Sequence, residues 1–285
     1  MFRRTLLTLG SAIVVTLAVA MPAAAADLDG QGNPSVVMSN QTAGMTAAQL
    51  ATYNQKVAHA NALNSKQGII PTSDPATRTL IASPRQQLTQ ISPMVSGNLE
   101  LMVSARQQLT KYYCGPTAIQ VMSNWAWNTG GSNYWTQDQI AVEAGTTTDG
   151  TVIDGEKTAA NWSLVNSPEA GFPYAIAQPP DGHQFWAYLS TDVYYYDMPV
   201  IANLYSAVLV GHTYYSLTDW YYKNTGHKHY ILLNGYNGEW NGTSGPKLWF
   251  ADGAGNGLGG GTGVYYDDQY STYMEISHWM DYIVW

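Results

Sequence analysis

The sequence contains a single cysteine, Cys114, among its 285 residues. One cysteine cannot form a disulfide within the chain, and it excludes both a disulfide framework and a zinc site built from several thiolates. Cys114 is therefore a lone thiol. Its sequence neighbourhood has to show whether it is a buried structural residue or a reactive one.

Positively charged residues are also scarce. There are 12 lysines and arginines against 20 aspartates and glutamates, and charged residues make up only 11% of the chain, where about a quarter is usual. The formal net charge of −8 argues against nucleic acid as a partner, because binding to phosphates needs clustered positive charge. The 21 tyrosines and 10 tryptophans are compatible with glycan or cell-wall binding, but packing at half-buried strand positions explains them more simply.

Long apolar runs are absent beyond the N-terminus. Residues 6–21 form one such run, which follows Arg3 and Arg4 and precedes small residues up to Ala26. This order is typical of a secretory signal peptide, residues 1–26, that is cleaved near Ala26; an uncleaved N-terminal anchor is the alternative. No later segment approaches the roughly 20 apolar residues of a membrane-spanning helix. We therefore expect a secreted protein, extracellular or associated with the cell wall, with no stable membrane insertion after cleavage.

Removal of residues 1–26 would lower the net charge to −10, because the segment carries two arginines and no acidic residue.

The next residues, 27–95, are polar and interrupted by prolines, and they are typical of a pro-segment or linker. Within them, Thr46 and Gln49 form a capping-box pattern that predicts one helix to about residue 65. That helix could dock on the remaining domain or belong to a tether. Residues 96–285 are long enough for one catalytic domain with a sizeable core.

The order of predicted elements in residues 96–285 indicates an α+β fold. Apolar residues at helical spacing predict a helix over 114–127, with Pro116 suited to its first turn. Apolar and aromatic runs predict strands over 198–204, 229–236 and 247–251. A helix followed by antiparallel strands favours an N-terminal helix, carrying Cys114, packed on an antiparallel β-sheet. The glycine-rich residues 253–263 are interpreted as a flexible loop.

The position of Cys114 at the start of the predicted helix suits a nucleophile. The N-terminal end of a helix favours an anion, and a thiol is nucleophilic as its thiolate. Gln108 lies six residues upstream, from where a loop could bring its side-chain amide beside the sulfur as an oxyanion donor. Gln107 is the competing candidate for this role.

A cysteine nucleophile needs an imidazole base, and His229 is the best placed of six histidines. It begins a strong predicted strand, and His227, two residues earlier, is a weaker candidate. The other four histidines lie in less suitable positions, His59, His183, His212 and His278.

An acidic residue or amide is needed to orient the imidazole. Asp252 ends the next predicted strand, and antiparallel pairing would bring it close to His229. The alternative role for Asp252 is turn capping. Asn234 and Asn237 are possible substitutes, but Asn234 lies too far along the strand to reach the imidazole.

Three segments together resemble the papain-like, bacteriocin-processing double-glycine peptidase family and its stand-alone relatives. They are YCGPTA at residues 113–118, KHYILLNGY at 228–236 and WFAD at 249–252. The resemblance covers about residues 100–285 and implies a papain-like fold. It also implies Cys114 as nucleophile, His229 as general base, Asp252 as the residue that orients the imidazole, and Gln108 as the oxyanion donor.

The implied function is a secreted cysteine peptidase that hydrolyses peptide bonds through an acyl-enzyme. Its expected substrate is a peptide or protein, and a cell-wall peptide falls within this class. The sequence shows no transporter segment, so the double-glycine leader substrate is not carried over from the family. Alternatives are a cell-wall amidase or acyltransferase with the same triad, or an inactive wall-associated binding module. No cofactor motif and no metal site are predicted, and the sequence does not indicate an oligomeric state.

Overall fold

The computed structural model describes residues 41–64, 98–129, 131–179, 181–210, 213–220, 227–238, 247–255, 260–277 and 282–285. The predicted signal peptide, residues 1–26, lies outside these ranges, as does most of the predicted pro-segment. Their predicted roles remain predictions.

The described residues form six helices and nine strands. The helices are α1 Ala47–Asn64, α2 Cys114–Ala126, α3 Gln137–Ala144, α4 Ile153–Leu164, α5 Gly182–Tyr195 and α6 Gln269–Ser277. The strands are β1 Asn98–Glu100, β2 Ile176–Ala177, β3 Val200–Tyr205, β4 Ala207–Val210, β5 Thr213–Ser216, β6 Lys228–Asn237, β7 Lys247–Asp252, β8 Gly263–Asp268 and β9 Tyr282–Val284. None of the helices in these ranges combines the length and apolar character needed to cross a membrane.

Seven of the strands form one antiparallel sheet in the order β2-β9-β3-β6-β7-β8, with β1 also paired to β6. The long strand β6 is central: β3 pairs with its first half and β1 with its second half, and β7 pairs along the other edge. Strands β4 and β5 form a separate two-stranded hairpin. The sheet therefore places the start of β6 and the end of β7 next to each other.

Both faces of the sheet are covered, because side chains alternate along the strands and both sets are apolar. On β6, Ile231 and Leu233 join a core that includes α5, whereas Leu232 joins a second core with α2, α3 and α4. The α+β fold class is confirmed, with the helix that carries Cys114 packed on an antiparallel sheet.

The elements predicted around the candidate residues are confirmed with shifts of one or two residues. Helix α2 begins at Cys114, as predicted, and ends one residue early. The predicted strands correspond to β3, β6 and β7. Part of the glycine-rich loop, residues 256–259, lies outside the described residues.

The predicted helix after Thr46 is present as α1, and it packs on the rest of the molecule. The Thr46 hydroxyl accepts from the amide of Gln49, and the Gln49 side chain accepts from the amide of Thr46. Helix α1 contacts α5 and places Ala60 in the core on that face of the sheet. Lys56 is buried with Asp192 of α5, at 3.0 Å between Nζ and Oδ1. The segment that carries α1 is therefore docked, whatever its processing.

Candidate active site

Cys114 is the first residue of α2 and is half-buried. No side chain caps the start of this helix, so its first amide N–H groups are not neutralised by a capping oxygen. This arrangement favours the anionic thiolate at the helix start. Gly115 is needed at the next position, because a Cβ atom there would collide with the carboxylate of Glu156.

His229 and Asp252 are brought together by the pairing of β6 with β7. The distance between His229 Nε2 and Asp252 Oδ1 is 2.7 Å, and both side chains are buried. Because a carboxylate accepts, Nε2 carries the proton of this hydrogen bond. The ring also interacts with Cys114, which contributes to the pKa of His229. Because Nε2 is bonded to Asp252, Nδ1 is the ring nitrogen that remains for the thiol. The imidazole thus lies between the thiol and the carboxylate.

The electrostatic surroundings of His229 favour its protonated form. Burial alone would lower the pKa of His229, but the charge and hydrogen bond of Asp252, with a further contribution from Cys114, outweigh burial. Together, these effects raise the pKa of His229 to about 10. An imidazolium next to a thiol at a helix start is the arrangement that supports a thiolate–imidazolium pair.

The carboxylate of Asp252 is fixed by several donors. Besides His229, the amide of Ala254 donates to Oδ1 at 2.7 Å and Trp220 Nε1 donates to Oδ2 at 3.0 Å. The Trp220 ring also meets the His229 ring edge to face, with centroids 5.2 Å apart. The indole therefore covers the His229–Asp252 hydrogen bond while it supplies a donor to the carboxylate.

The two glutamines that compete for the oxyanion role occupy different places. Gln108 is fully buried; its backbone amide donates to the carbonyl of Gly253 at 2.8 Å, and its side-chain amide donates to the carbonyl of Thr110 at 2.8 Å. The loop before α2 is thereby attached to the end of β7. The side chain of Gln107 instead approaches Gly255.

The remaining sequence candidates do not join His229 and Asp252. His227 is exposed and packs against Trp220, with ring centroids 5.7 Å apart. Asn234 donates to the carbonyl of Leu101, and Asn237 lies at the far end of β6. His59 is stacked on Tyr195 of α5, His183 lies on α5, and His212 and His278 lie outside the described residues.

Three residues near the site were not anticipated from the sequence, Asp219, Trp220 and Glu156. Asp219 and Trp220 follow the β4–β5 hairpin, and Glu156 lies on α4. None is adjacent in sequence to the motifs at residues 114, 229 and 252. The residues around them in sequence, such as Asp154 and Lys157 beside Glu156, carry no pattern that would indicate these contacts.

The arrangement has the parts needed for acyl transfer. A thiolate can attack a carbonyl carbon, an imidazolium can protonate a leaving group, and a buried carboxylate keeps the imidazole in one orientation. Among the residues described, no group of three or more histidine, cysteine, aspartate or glutamate side chains is placed to hold a metal ion.

No protein-family model and no curated protein sequence matches this chain. Two solved structures are similar to it. The peptidase domain of Streptococcus ComA, a bi-functional ABC transporter of a quorum-sensing pathway, is 14% identical with a TM-score of 0.35, over 64% of this chain and 96% of that one. The proform of the ragweed pollen cysteine protease Amb a 11 is 11% identical with a TM-score of 0.41, over 88% of this chain and 90% of that one. At these values neither similarity identifies a family or an activity.

Proposed function

We propose that this chain is a secreted, papain-like cysteine peptidase. One observation carries the proposal: the imidazole of His229 interacts with the Cys114 thiol at the start of α2 and is hydrogen-bonded, at 2.7 Å, to the buried carboxylate of Asp252. A histidine in an ordinary structural role needs neither of these partners. The three residues come from separate elements, α2, β6 and β7, so their convergence is not a consequence of sequence proximity.

In the proposed reaction, the Cys114 thiolate attacks the carbonyl carbon of a peptide bond. The C–N bond breaks, the His229 imidazolium gives its proton to the leaving amine, and an acyl-thioester forms on Cys114. Neutral His229 then takes a proton from water, whose oxygen attacks the thioester carbonyl and releases the acid and the thiolate. Asp252 keeps the imidazole oriented through both steps.

Gln108 is the proposed donor to the oxyanion that forms on the carbonyl oxygen. A side-chain amide carries two N–H bonds, so donation to Thr110 does not exclude a second donation to substrate. The buried position of Gln108 and its backbone bond to Gly253 favour it over Gln107.

The proposed substrates are peptides or proteins, including cell-wall peptides, and no cofactor is needed for this chemistry. Export is proposed on the signal-peptide pattern of residues 1–26, with residues 96–285 as the catalytic domain.

The test is the pH dependence of alkylation of Cys114, which is the only thiol in the chain. An ion pair makes the thiol reactive at low pH, so we expect fast reaction of the wild type with iodoacetamide down to about pH 5. His229→Ala should react only as the pH approaches about 8.5, the value for an ordinary thiol. Mass spectrometry of the intact chain measures the rate. His227→Ala is the matched control and should behave as wild type.

A fluorogenic peptide library then tests hydrolysis, with Cys114→Ala as the inactive reference. Removal of the nucleophile should reduce turnover to the background rate. The proposal would be wrong if wild type and His229→Ala showed the same thiol titration near pH 8.5, or if Cys114→Ala cleaved peptides as fast as wild type.

A further inference from the structure

Asp219 is a second carboxyl group beside Asp252, and its position is fixed by the chain around it. It lies in a turn closed by the amide of Trp220, which donates to the carbonyl of Leu217 at 3.1 Å. Leu217 and Trp220 are buried on either side of it. The amide of Leu217 also donates to the carbonyl of Ser206. The turn therefore holds the Asp219 side chain against the candidate site.

The carboxyl group of Asp219 lies beside that of Asp252: the adjacent residue Trp220 donates from Nε1 to Asp252 Oδ2 at 3.0 Å, and the charge of Asp252 acts on Asp219. Asp252 is fully buried and Asp219 is only 6% exposed. Two carboxylates that share a buried site cannot both ionise without a large cost, so one of them keeps a proton. Asp252 receives hydrogen bonds from His229, Trp220 and Ala254, all of which stabilise its charged form. The proton therefore belongs on Asp219.

The contacts of Asp219 identify the oxygen that carries this proton. Oδ2 accepts from the amide of Gly261 at 3.2 Å, whereas Oδ1 receives no hydrogen bond within the described part of the chain. An oxygen that accepts nothing is the one that can donate as a hydroxyl. A hydroxyl that donates to a carboxylate makes a short, charge-assisted hydrogen bond.

We propose that Asp219 is a positioning residue that keeps its carboxyl proton and donates it to Asp252, as the outermost member of a chain Cys114–His229–Asp252–Asp219. The inference rests on the proposed function and adds a fourth residue to it. Asp219 acts through Asp252 and does not reach the reacting atoms.

The protonation of Asp219 is also favoured by its surroundings. Burial, and then the negative charge of Asp252, raise the pKa of Asp219 to about 8. Among the described residues, Asp252 is the ionisable group that faces Asp219 directly, and His229 binds the same Asp252 carboxylate. Asp219 is thus neutral at pH 7 and ionises at moderately alkaline pH.

This proton has a consequence for the reaction. While Asp219 is neutral, the carboxyl pair carries one negative charge, which is matched by the His229 imidazolium. Once Asp219 ionises, a second negative charge strengthens the hold of His229 on its proton. The imidazolium then protonates the leaving amine less readily, and less neutral imidazole is present to activate water.

The direct test is infrared difference spectroscopy of a pH titration. The parent protein for both tests carries Glu156→Gln, because Glu156 is another buried carboxyl group that keeps its proton. This parent, used as the wild type, should show the C=O stretch of a protonated carboxylic acid that disappears with a midpoint near pH 8, and addition of Asp219→Asn should remove it. Asp181→Asn, an equivalent change at an exposed helix N-cap, should leave the band intact. The absence of this band in the wild type, or its persistence in Asp219→Asn, would overturn the inference.

The positioning role is tested by two reagents that differ in charge. In the wild type, the rate of Cys114 alkylation by anionic iodoacetate, divided by the rate with neutral iodoacetamide, should fall about threefold between pH 7 and 9 as the second charge develops. In Asp219→Asn, which stays neutral and can still donate, the ratio should be nearly constant and the reactivity at pH 6 preserved. A ratio in Asp219→Asn that falls as in the wild type would overturn the inference. If the proposed function itself were wrong, the pH profiles of Cys114 alkylation by iodoacetamide would instead be identical in wild type and His229→Ala.

Discussion

At the scale of single residues, Glu156 is an ionisable group whose surroundings disfavour its charged form. It is fully buried under the start of α2, and neither carboxylate oxygen has a hydrogen-bond partner within the described residues. Burial, and then the negative charge of Cys114, raise the pKa of Glu156 well above its ordinary value. The carboxyl group is therefore held in its neutral form, facing Gly115.

This environment predicts a pH-dependent cost to stability. Unfolded Glu156 ionises near its ordinary pKa of about 4.3, whereas the folded protein keeps the proton to higher pH. The folded state then binds more protons, so the contribution of Glu156 to stability falls as pH rises above that value. Glu156→Gln removes the ionisation without a change in size. We expect the variant to be more stable than wild type at pH 8, by roughly 1–3 kcal/mol, and about equal to it at pH 4.

Urea unfolding at the two pH values measures this difference. Glu143→Gln, at an exposed position on α3, is the matched control and should stay within about 0.5 kcal/mol of wild type at both. Parallel stability curves of wild type and Glu156→Gln from pH 4 to 8 would contradict the prediction.

At the scale of secondary-structure elements, the sequence predicted the parts whose signals are local. Helix α2 follows from Pro116 and its apolar spacing, helix α1 from the capping box at Thr46, and strand β6 from its continuous apolar run. The neighbours of Asp252 were predictable only where β6 pairs with β7, because antiparallel register relates segments that are close in sequence. Asp219 lies in another turn, and its approach depends on how the β4–β5 hairpin folds back on the sheet. The sequence contains no periodic pattern that would predict this contact.

The interface between α1 and α5 contains a buried ion pair. Lys56 Nζ lies 3.0 Å from Oδ1 and 3.1 Å from Oδ2 of Asp192, and 4.9 Å from the centre of the Trp285 ring. Burial lowers the pKa of Lys56, although Asp192 opposes this effect. Burial also raises the pKa of Asp192 to about 6. Burial of the pair therefore already carries a free-energy cost. Removal of either charged group would leave the other buried without a counter-charge.

Removal of one partner should therefore be strongly destabilising. We expect Lys56→Met, which keeps the apolar stem, to lose about 3–5 kcal/mol at pH 7, because Asp192 is left buried without its counter-charge. The loss should be smaller at pH 5, where Asp192 is more easily protonated. Urea unfolding measures both values.

The double variant Lys56→Met with Asp192→Leu separates charge from packing, since it should recover most of the loss. Lys157→Met is the control: its pair with Asp154 is 3.8 Å long and the Asp154 side chain is 62% exposed, so a change below about 1 kcal/mol is expected. A Lys56→Met variant as stable as wild type at pH 7 would show that the pair does not hold α1.

At the scale of the whole molecule, the last strand closes the fold. Strand β9 lies between β2 and β3, and the backbones of Trp285 and Ala175 exchange hydrogen bonds of 2.7 and 2.9 Å. Ile283 and Val284 are fully buried and point to the two different cores. The strand therefore joins both faces of the sheet.

Deletion of residues 282–285 should prevent cooperative folding, because it opens an internal position of the sheet and removes apolar side chains from both cores. Thermal unfolding followed by circular dichroism should show no sharp transition. Trp285→Phe, which keeps the strand and an aromatic ring, should retain a transition at a lower temperature. A deletion variant that unfolds cooperatively near the wild-type midpoint would contradict this view.

The docking of α1 also determines what a protease would produce if it cut the chain between α1 and β1. Residues 41–64 and the chain from residue 98 onward are held together by the Lys56–Asp192 pair and by helix packing. A backbone cut anywhere within residues 65–97 would therefore produce a two-chain protein. The N-terminal piece would then behave as a bound subunit, released by denaturation and not by dilution alone.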